Sequence, residues 1–249
     1  MIITFAHYKG GTGKTTSCIS VAGHLAKQNK KVLVVDLDPQ GNATSGLGID
    51  KKTLDKTMYD VMEEKKQMRE IILATKICNL HIAPSNQNLE KVNLRAYKRK
   101  ADALILKKTL GDIQDYYDFV LIDTPPIHSH FIINGIAAAD KVFVVLDPGI
   151  FALEGLETLQ ESFGEFFKKL GLNFNIAGVL ITRTSKSFFP WRKNYSQEIK
   201  KHIENNFNKK VFMIPYSEHI YQTHVKGIPI SHYKPGSKLS KAYESVSNK

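Results

Sequence analysis

The sequence predicts an α/β fold, a doubly wound and mostly parallel sheet with helices on both faces. Short apolar runs alternate with stretches of helical periodicity along the whole 249-residue chain, the order expected of parallel strands joined by crossover helices. The runs are β-branched and nearly unbroken by polar residues, which suits strands covered on both faces. The first run also ends in a glycine-rich turn directly before a helical stretch.

In order, Ile2–Ala6, Val32–Val35, Leu80–Ala83, Phe119–Ile122, Val142–Leu146, Ile176–Ile181 and Val211–Ile214 read as strands. Between them Thr15–Gln28, Leu89–Leu110, Leu153–Leu170 and Tyr195–Phe207 read as helices. Leu153, Leu156, Leu159, Phe163, Phe166, Phe167 and Leu170 keep a helical period, as do Ile199, Ile203 and Phe207, and both stripes read as core. Hydrophobic residues are 42% of the chain, enough for a sizeable core, and no internal repeat or linker divides it. Residues 1–249 are therefore expected to form one domain. No run approaches the roughly 18 apolar residues of a membrane span. Cys18 and Cys78 stand far apart with no partner motif, and no signal segment opens the chain, so a reduced cytoplasmic protein is expected.

The formal charge is +11 and it is unevenly placed. Residues 183–249 hold 13 Lys/Arg against 4 Asp/Glu, and residues 91–108 hold 7 against 1, so the remainder is net −4. A mildly acidic body carrying two basic segments points to a surface for an anionic partner such as nucleic acid or a membrane surface.

The strongest local signal is Lys9-Gly10-Gly11-Thr12-Gly13-Lys14-Thr15-Thr16 after the first strand. Glycines let backbone N–H groups turn around phosphate oxygens, and the helix that follows adds the positive end of its dipole. Lys14 would touch the β- and γ-phosphates and the Thr15 hydroxyl would lie on Mg²⁺. The general G-x-x-x-x-G-K-[ST] pattern requires glycine at position 8. This chain has Tyr8 there, and a second lysine follows at position 9.

That variant resembles the deviant Walker A loop of the ParA/MinD family of dimeric P-loop ATPases. Val34–Thr44, with Asp36-Leu37-Asp38-Pro39, resembles the family's first switch, and Val120–Pro126, with Asp123-Thr124-Pro125-Pro126, resembles Walker B running into the second. Ala152–Leu156, Ile214-Pro215 and Gly227-Ile228-Pro229 match later landmarks, so the likeness runs in register along almost the whole chain. Phosphoryl transfer needs a metal, positive charge around the developing oxyanions and a group that orients water. Asp123, at the end of an apolar strand, is placed to hold Mg²⁺ through a water beside Thr15. The resemblance gives Asp38 the water-activating role, while Asp36 reads as a strand-end carboxylate bonded to loop amides. It also implies that Lys9 crosses a nucleotide-sandwich dimer to the partner's phosphates, and that Arg183 and Pro215-Tyr216 flank the base. Thr182-Arg183-Thr184-Ser185 has no acidic residue to accept from guanine, so adenine is favoured.

The output is sorted by what the sequence lacks. Thr124–Asp140 has no cluster cysteines, and the tail Lys238–Lys249 is short and serine-rich, so its Leu239, Ala242, Tyr243 and Val246 read as packing on the body. No stable membrane association is expected. A ParA/Soj-type DNA partition ATPase fits best, nucleoid-associated, of plasmid or chromosome. It would be a homodimer on ATP binding, with nonspecific double-stranded DNA and a ParB-like centromere-binding protein as partners. Arg192, Lys193, Lys226, Lys234 and Lys238 are the candidate DNA contacts; Lys200, Lys201, Lys209 and Lys210 read as solvating a helix and its exit. Lys98, Arg99 and Lys100 could extend the patch. Because the chain begins directly at the first strand, the N-terminal helix-turn-helix region of larger ParA proteins is not expected. A MinD-like membrane-associated positioning ATPase, or a cargo- or metal-delivery ATPase without DNA, are the alternatives.

Overall fold

The computed structural model describes residues 1–7, 9–92, 100–126, 130–149, 152–172, 174–184 and 195–248. The strands are β1 (Ile2–Ala6), β2 (Val32–Asp36), β3 (Leu73–Ala74), β4 (Leu80–Ala83), β5 (Phe119–Asp123), β6 (Lys141–Leu146), β7 (Ile176–Thr184) and β8 (Val211–Pro215). The helices are α1 (Lys14–Lys27), α2 (Asn42–Gly46), α3 (Met58–Met62), α4 (Lys100–Ala103), α5 (Ile105–Gly111), α6 (His130–Ala138), α7 (Ala152–Lys169), α8 (Tyr195–Phe207), α9 (His219–Lys226), α10 (Ile230–Tyr233) and α11 (Lys238–Ser247).

Among the described residues the sheet has eight strands in the order β3-β4-β2-β5-β1-β6-β7-β8. Every neighbouring pair is parallel except β3 with β4. Alternation along single strands explains why the runs are apolar on both sides. Val32 and Val34 face the cluster built on α1 and α11, whereas Leu33 and Val35 face the one that includes Met58, Leu106 and Leu110. On the far half of that second face, Leu156, Leu159, Phe163 and Phe167 of α7 bury against Val142, Val144 and Val179, as their helical period predicts. Ile199 and Ile203 of α8 join them.

One predicted helix is interrupted. Over 89–110 the structure has a 3-10 turn at Gln87–Lys91 and then the separate helices α4 and α5, with 93–99 outside the described residues. The break at Leu104 has a cause on α6. The Asn134 side chain accepts from the Leu106 N–H (3.1 Å) and donates to the Asp102 carbonyl (3.1 Å), so a buried amide takes the place of helical bonds.

The tail forms α11 on the body, as its apolar spacing predicts. Leu239, Tyr243 and Val246 are buried, each burial being worth about 1.5–3 kcal/mol. Two buried polar pairs join it to α1: Ser17 with the Tyr243 hydroxyl (3.2 Å) and His24 with Ser240 (3.1 Å).

The chain after α9 turns back at Gly227, whose φ of 63° is left-handed. A Cβ there would stand 2.3 Å from the Gly48 Cα, so α9 meets the segment after α2 backbone to backbone. Gly227→Ala is expected to cost about 2 kcal/mol and lower the thermal midpoint by roughly 4–8 °C. Circular dichroism melting measures this, and an unchanged midpoint would show that the two segments do not pack so closely.

Candidate functional site

The chain leaves β1 at the carboxyl end of the sheet, between β5 and β6, on the crevice side of a doubly wound fold. Gly11 (φ 73°) and Gly13 (φ 93°) take left-handed conformations that side chains disfavour, and α1 starts at Lys14. The first turn of α1 carries no acidic residue, so its unbonded N–H groups and dipole face an anion without competition. Two neighbouring strands hold the turn in place. The Thr182 hydroxyl donates to the Thr12 carbonyl (2.8 Å), and the Thr124 hydroxyl donates to the Phe5 carbonyl (2.8 Å).

A cleft of about 490 Å³ opens over the turn. Its walls are Gly11–Thr16 on one side, Asp38, Gln40, Asn42, Ser45 and Gly46 on another, and Pro126, Arg183 and His224 around the rim. Lys14 is 6% exposed and its Nζ donates to the Lys9 carbonyl (3.2 Å). Burial lowers its pKa, while the carboxylates of Asp123 and Asp38 act the other way.

The carboxylates sort by their partners. Asp36 accepts from the Asp38 N–H (3.1 Å), the Thr44 N–H (2.8 Å) and the Thr44 hydroxyl (2.7 Å), so it is committed to holding the loop, as the sequence suggested. Burial pushes its pKa up to about 6 against those bonds. Asp38 accepts from the Gln40 N–H (2.9 Å) and faces the cleft, with burial raising its pKa. Asp123 pairs in register with Asp36 on the adjacent strand, and it is fully buried. Neither of its carboxylate oxygens closes a regular hydrogen bond among the described residues. Burial and then the charge of Asp36 push its pKa well up, while the nearby Thr15 hydroxyl and Lys14 draw it back. A buried carboxylate without partners is costly unless something cationic or donating meets it. Asp123 with the Thr15 hydroxyl is a hard-oxygen donor set, and it fits a hydrated Mg²⁺.

The structure therefore brings Lys14, Thr15, Thr16, Asp38 and Asp123 together at one end of the sheet. Lys9 and Gly10 are exposed at the mouth of the turn. Arg183 lies on the cleft wall, but Pro215 and Tyr216 do not line it; Tyr216 is 65% exposed at the next strand end. Lys226, Lys234 and Lys238 are exposed, whereas Arg192, Lys193, Lys98 and Arg99 lie outside the described residues, as does the side chain of Lys100. Lys200 pairs with Glu204 (3.7 Å), Lys209 donates to Asn175 (3.3 Å) and Lys210 sits over the Phe212 ring (5.1 Å). Lys226 likewise stands over the Tyr233 ring (5.2 Å) and Lys234 meets His219 (2.9 Å), so local contacts do not separate the two sets of lysines. Sequence reasoning named Gln40 and Asn42 only as part of a segment. It missed His224, a lone histidine on a surface helix that no motif marks.

A glycine-rich turn opening onto a helix at the carboxyl end of a central parallel strand is the architecture of the P-loop nucleoside triphosphatases, and this protein is of that class. A family described as the AAA domain matches residues 1–177. The chromosome-partitioning ATPase Soj of Treponema pallidum is 35% identical over 98% of this chain and 94% of its own. Among solved structures, the D38A variant of Cyanothece McdA in complex with ATP superposes with a TM-score of 0.86 at 26% identity, covering 99% of this chain and 95% of that one. The septum site-determining protein MinD of Pyrococcus horikoshii, complexed with Mg-ADP, gives 0.77 at 25% identity over 99% and 93%. The chain belongs to the ParA/Soj branch of the ParA/MinD family of P-loop ATPases. It is an ATPase of the partition and positioning kind, in a family that binds nucleotide and Mg²⁺.

Proposed function

We propose that this ATPase partitions DNA. ATP and Mg²⁺ enter the cleft, two protomers close over the nucleotides, the dimer holds nonspecific duplex DNA, and hydrolysis stimulated by a ParB-like centromere-binding protein lets the DNA go. The supporting observation is the position of α9. One helix gives His224 to the cleft wall and exposes Lys226, and its C-terminal glycine packs on the segment after α2, so the nucleotide pocket and the basic surface share a structural element. Lys234 follows directly on α10 and Lys238 opens α11.

In this reading the amides of residues 10–16 and Lys14 hold the phosphates, and Lys9 reaches across to the partner's nucleotide. Thr15 and Asp123 hold Mg²⁺, which supplies charge neutralisation on the phosphate oxygens. Asp38 orients the attacking water and takes its proton. Arg183 borders the base, with Pro215 and Tyr216 beyond it. The three exposed lysines neutralise DNA phosphates, and Arg192 and Lys193, from the sequence alone, are assigned the same role. The single domain and nucleoid association follow from this reading.

Binding to a nonspecific duplex, measured by anisotropy with ADP, ATP or a nonhydrolysable analogue, tests the proposal. DNA affinity is expected only with the triphosphate. The six exposed lysines of the dimer alone predict a slope of log K against log salt of about −5, and with Arg192 and Lys193 of both protomers it steepens to about −9. Binding to anionic vesicles without binding to DNA would instead favour the membrane-positioning alternative; the burial of Leu239, Tyr243 and Val246 in α11 argues against it.

A further inference from the structure

We infer that Arg183 is a positioning residue for phosphoryl transfer, holding the phosphate-binding turn in its working shape as well as bordering the base. The inference rests on the reading of the cleft as an ATP site. Four observations support it. Arg183 has a φ of 53°, a left-handed conformation that costs free energy in a non-glycine residue and that persists only where surrounding contacts enforce it. The pairing of β7 with β8 shifts register between Ile181 and Thr184, so the strand bulges around Arg183 and re-aims its side chain. One arm of the guanidinium (Nη2) donates to the Gly11 carbonyl. The other (Nη1) meets the Asp147 carboxylate (3.2 Å), just beyond β6, which fixes the plane of the fork.

The neighbouring residue completes the device. Thr182 donates to the Thr12 carbonyl, so two consecutive residues of β7 hold two consecutive carbonyls of the turn. A trans peptide plane points its C=O and N–H in opposite directions. Holding the Gly11 and Thr12 carbonyls therefore aims the Thr12 and Gly13 amides to the other side of the turn. The glycines could otherwise rotate freely, so the amide cradle for phosphate is set before nucleotide arrives. An ordinary strand end would direct Arg183 elsewhere. The bulge and the left-handed residue are what bring it to the loop.

A residue that merely borders the base acts on affinity for the base. One that shapes the turn acts on phosphate whether or not a base is present. Arg183→Met keeps the aliphatic stem and removes both donors. Turnover at saturating ATP is expected to fall about tenfold, the worth of one hydrogen bond from a charged donor. Binding of magnesium tripolyphosphate, which has neither base nor ribose, is expected to weaken by a similar factor in calorimetry. Arg183→Lys, which returns one charged donor, is expected to recover part of the turnover, which general loosening of the fold would not allow. An Arg183→Met protein with a raised KM for ATP but unchanged kcat and unchanged tripolyphosphate binding overturns the inference. Where tripolyphosphate binds wild type too weakly to follow, kcat decides alone. A wild type that hydrolyses no ATP would overturn the reading of the site instead.

Discussion

Lys14→Ala is expected to abolish nucleotide binding. The side chain is almost wholly buried, its ammonium lies under the turn, and the cleft contains no other lysine side chain on its walls among the described residues. Removing one partner of a buried, hydrogen-bonded charge pair costs about 3–5 kcal/mol, so affinity falls by roughly two to four orders of magnitude. The loss has a second component. Lys14 is also the cation that draws down the pKa values of Asp123 and Asp38, so its absence leaves two buried carboxylates with less reason to ionise. Calorimetry with ATP and Mg²⁺ measures the effect, and affinity within threefold of wild type would remove Lys14 from the site.

Asp38→Ala is expected to give the opposite separation. ATP binding and dimerisation persist, while turnover falls by about 10²–10⁴, the usual contribution of a positioned general base. Among the described residues the Asp38 side chain accepts only the Gln40 N–H, at its Oδ1, which leaves its other oxygen to meet a water. Asp36 is the competitor on the same strand end, and its three short-range bonds leave it employed in structure. Single-turnover hydrolysis compared with the affinity for a nonhydrolysable analogue separates the two steps. Equal turnover in wild type and Asp38→Ala would remove Asp38 from the mechanism.

The strands and the turn were legible because each is written locally. A run such as Val32–Val35 can satisfy only a buried strand, and the spacing Gly10-Gly11-Thr12-Gly13-Lys14 binds phosphate only where a strand meets a helix. Asp36 was legible for a similar reason, since a strand-end carboxylate beside turning amides accepts from them. The parts that were not legible depend on residues distant in sequence. The break at Leu104 is made by Asn134, thirty residues away on another helix, and helical periodicity cannot register a side chain that replaces a backbone bond. The edge strand β3 is two residues long and gains its identity by pairing with β4. His224 comes to the cleft because Gly227 allows α9 to dock after α2, and Arg183 because β7 bulges. Both depend on packing across elements, which a single motif does not encode.

The central position of β1 bears on how the chain is made. It precedes the other seven strands in this sequence, yet its partners are β5 and β6, so Ile3 waits for Leu121 and Lys141 before either of its edges is paired. Such separations raise contact order, which slows folding, and leave an apolar strand with open hydrogen-bonding edges throughout synthesis of the first half. Nascent chains cut short before β5 would present Ile2–Ala6 without a sheet to enter. Their unpaired apolar strand makes them prone to aggregate.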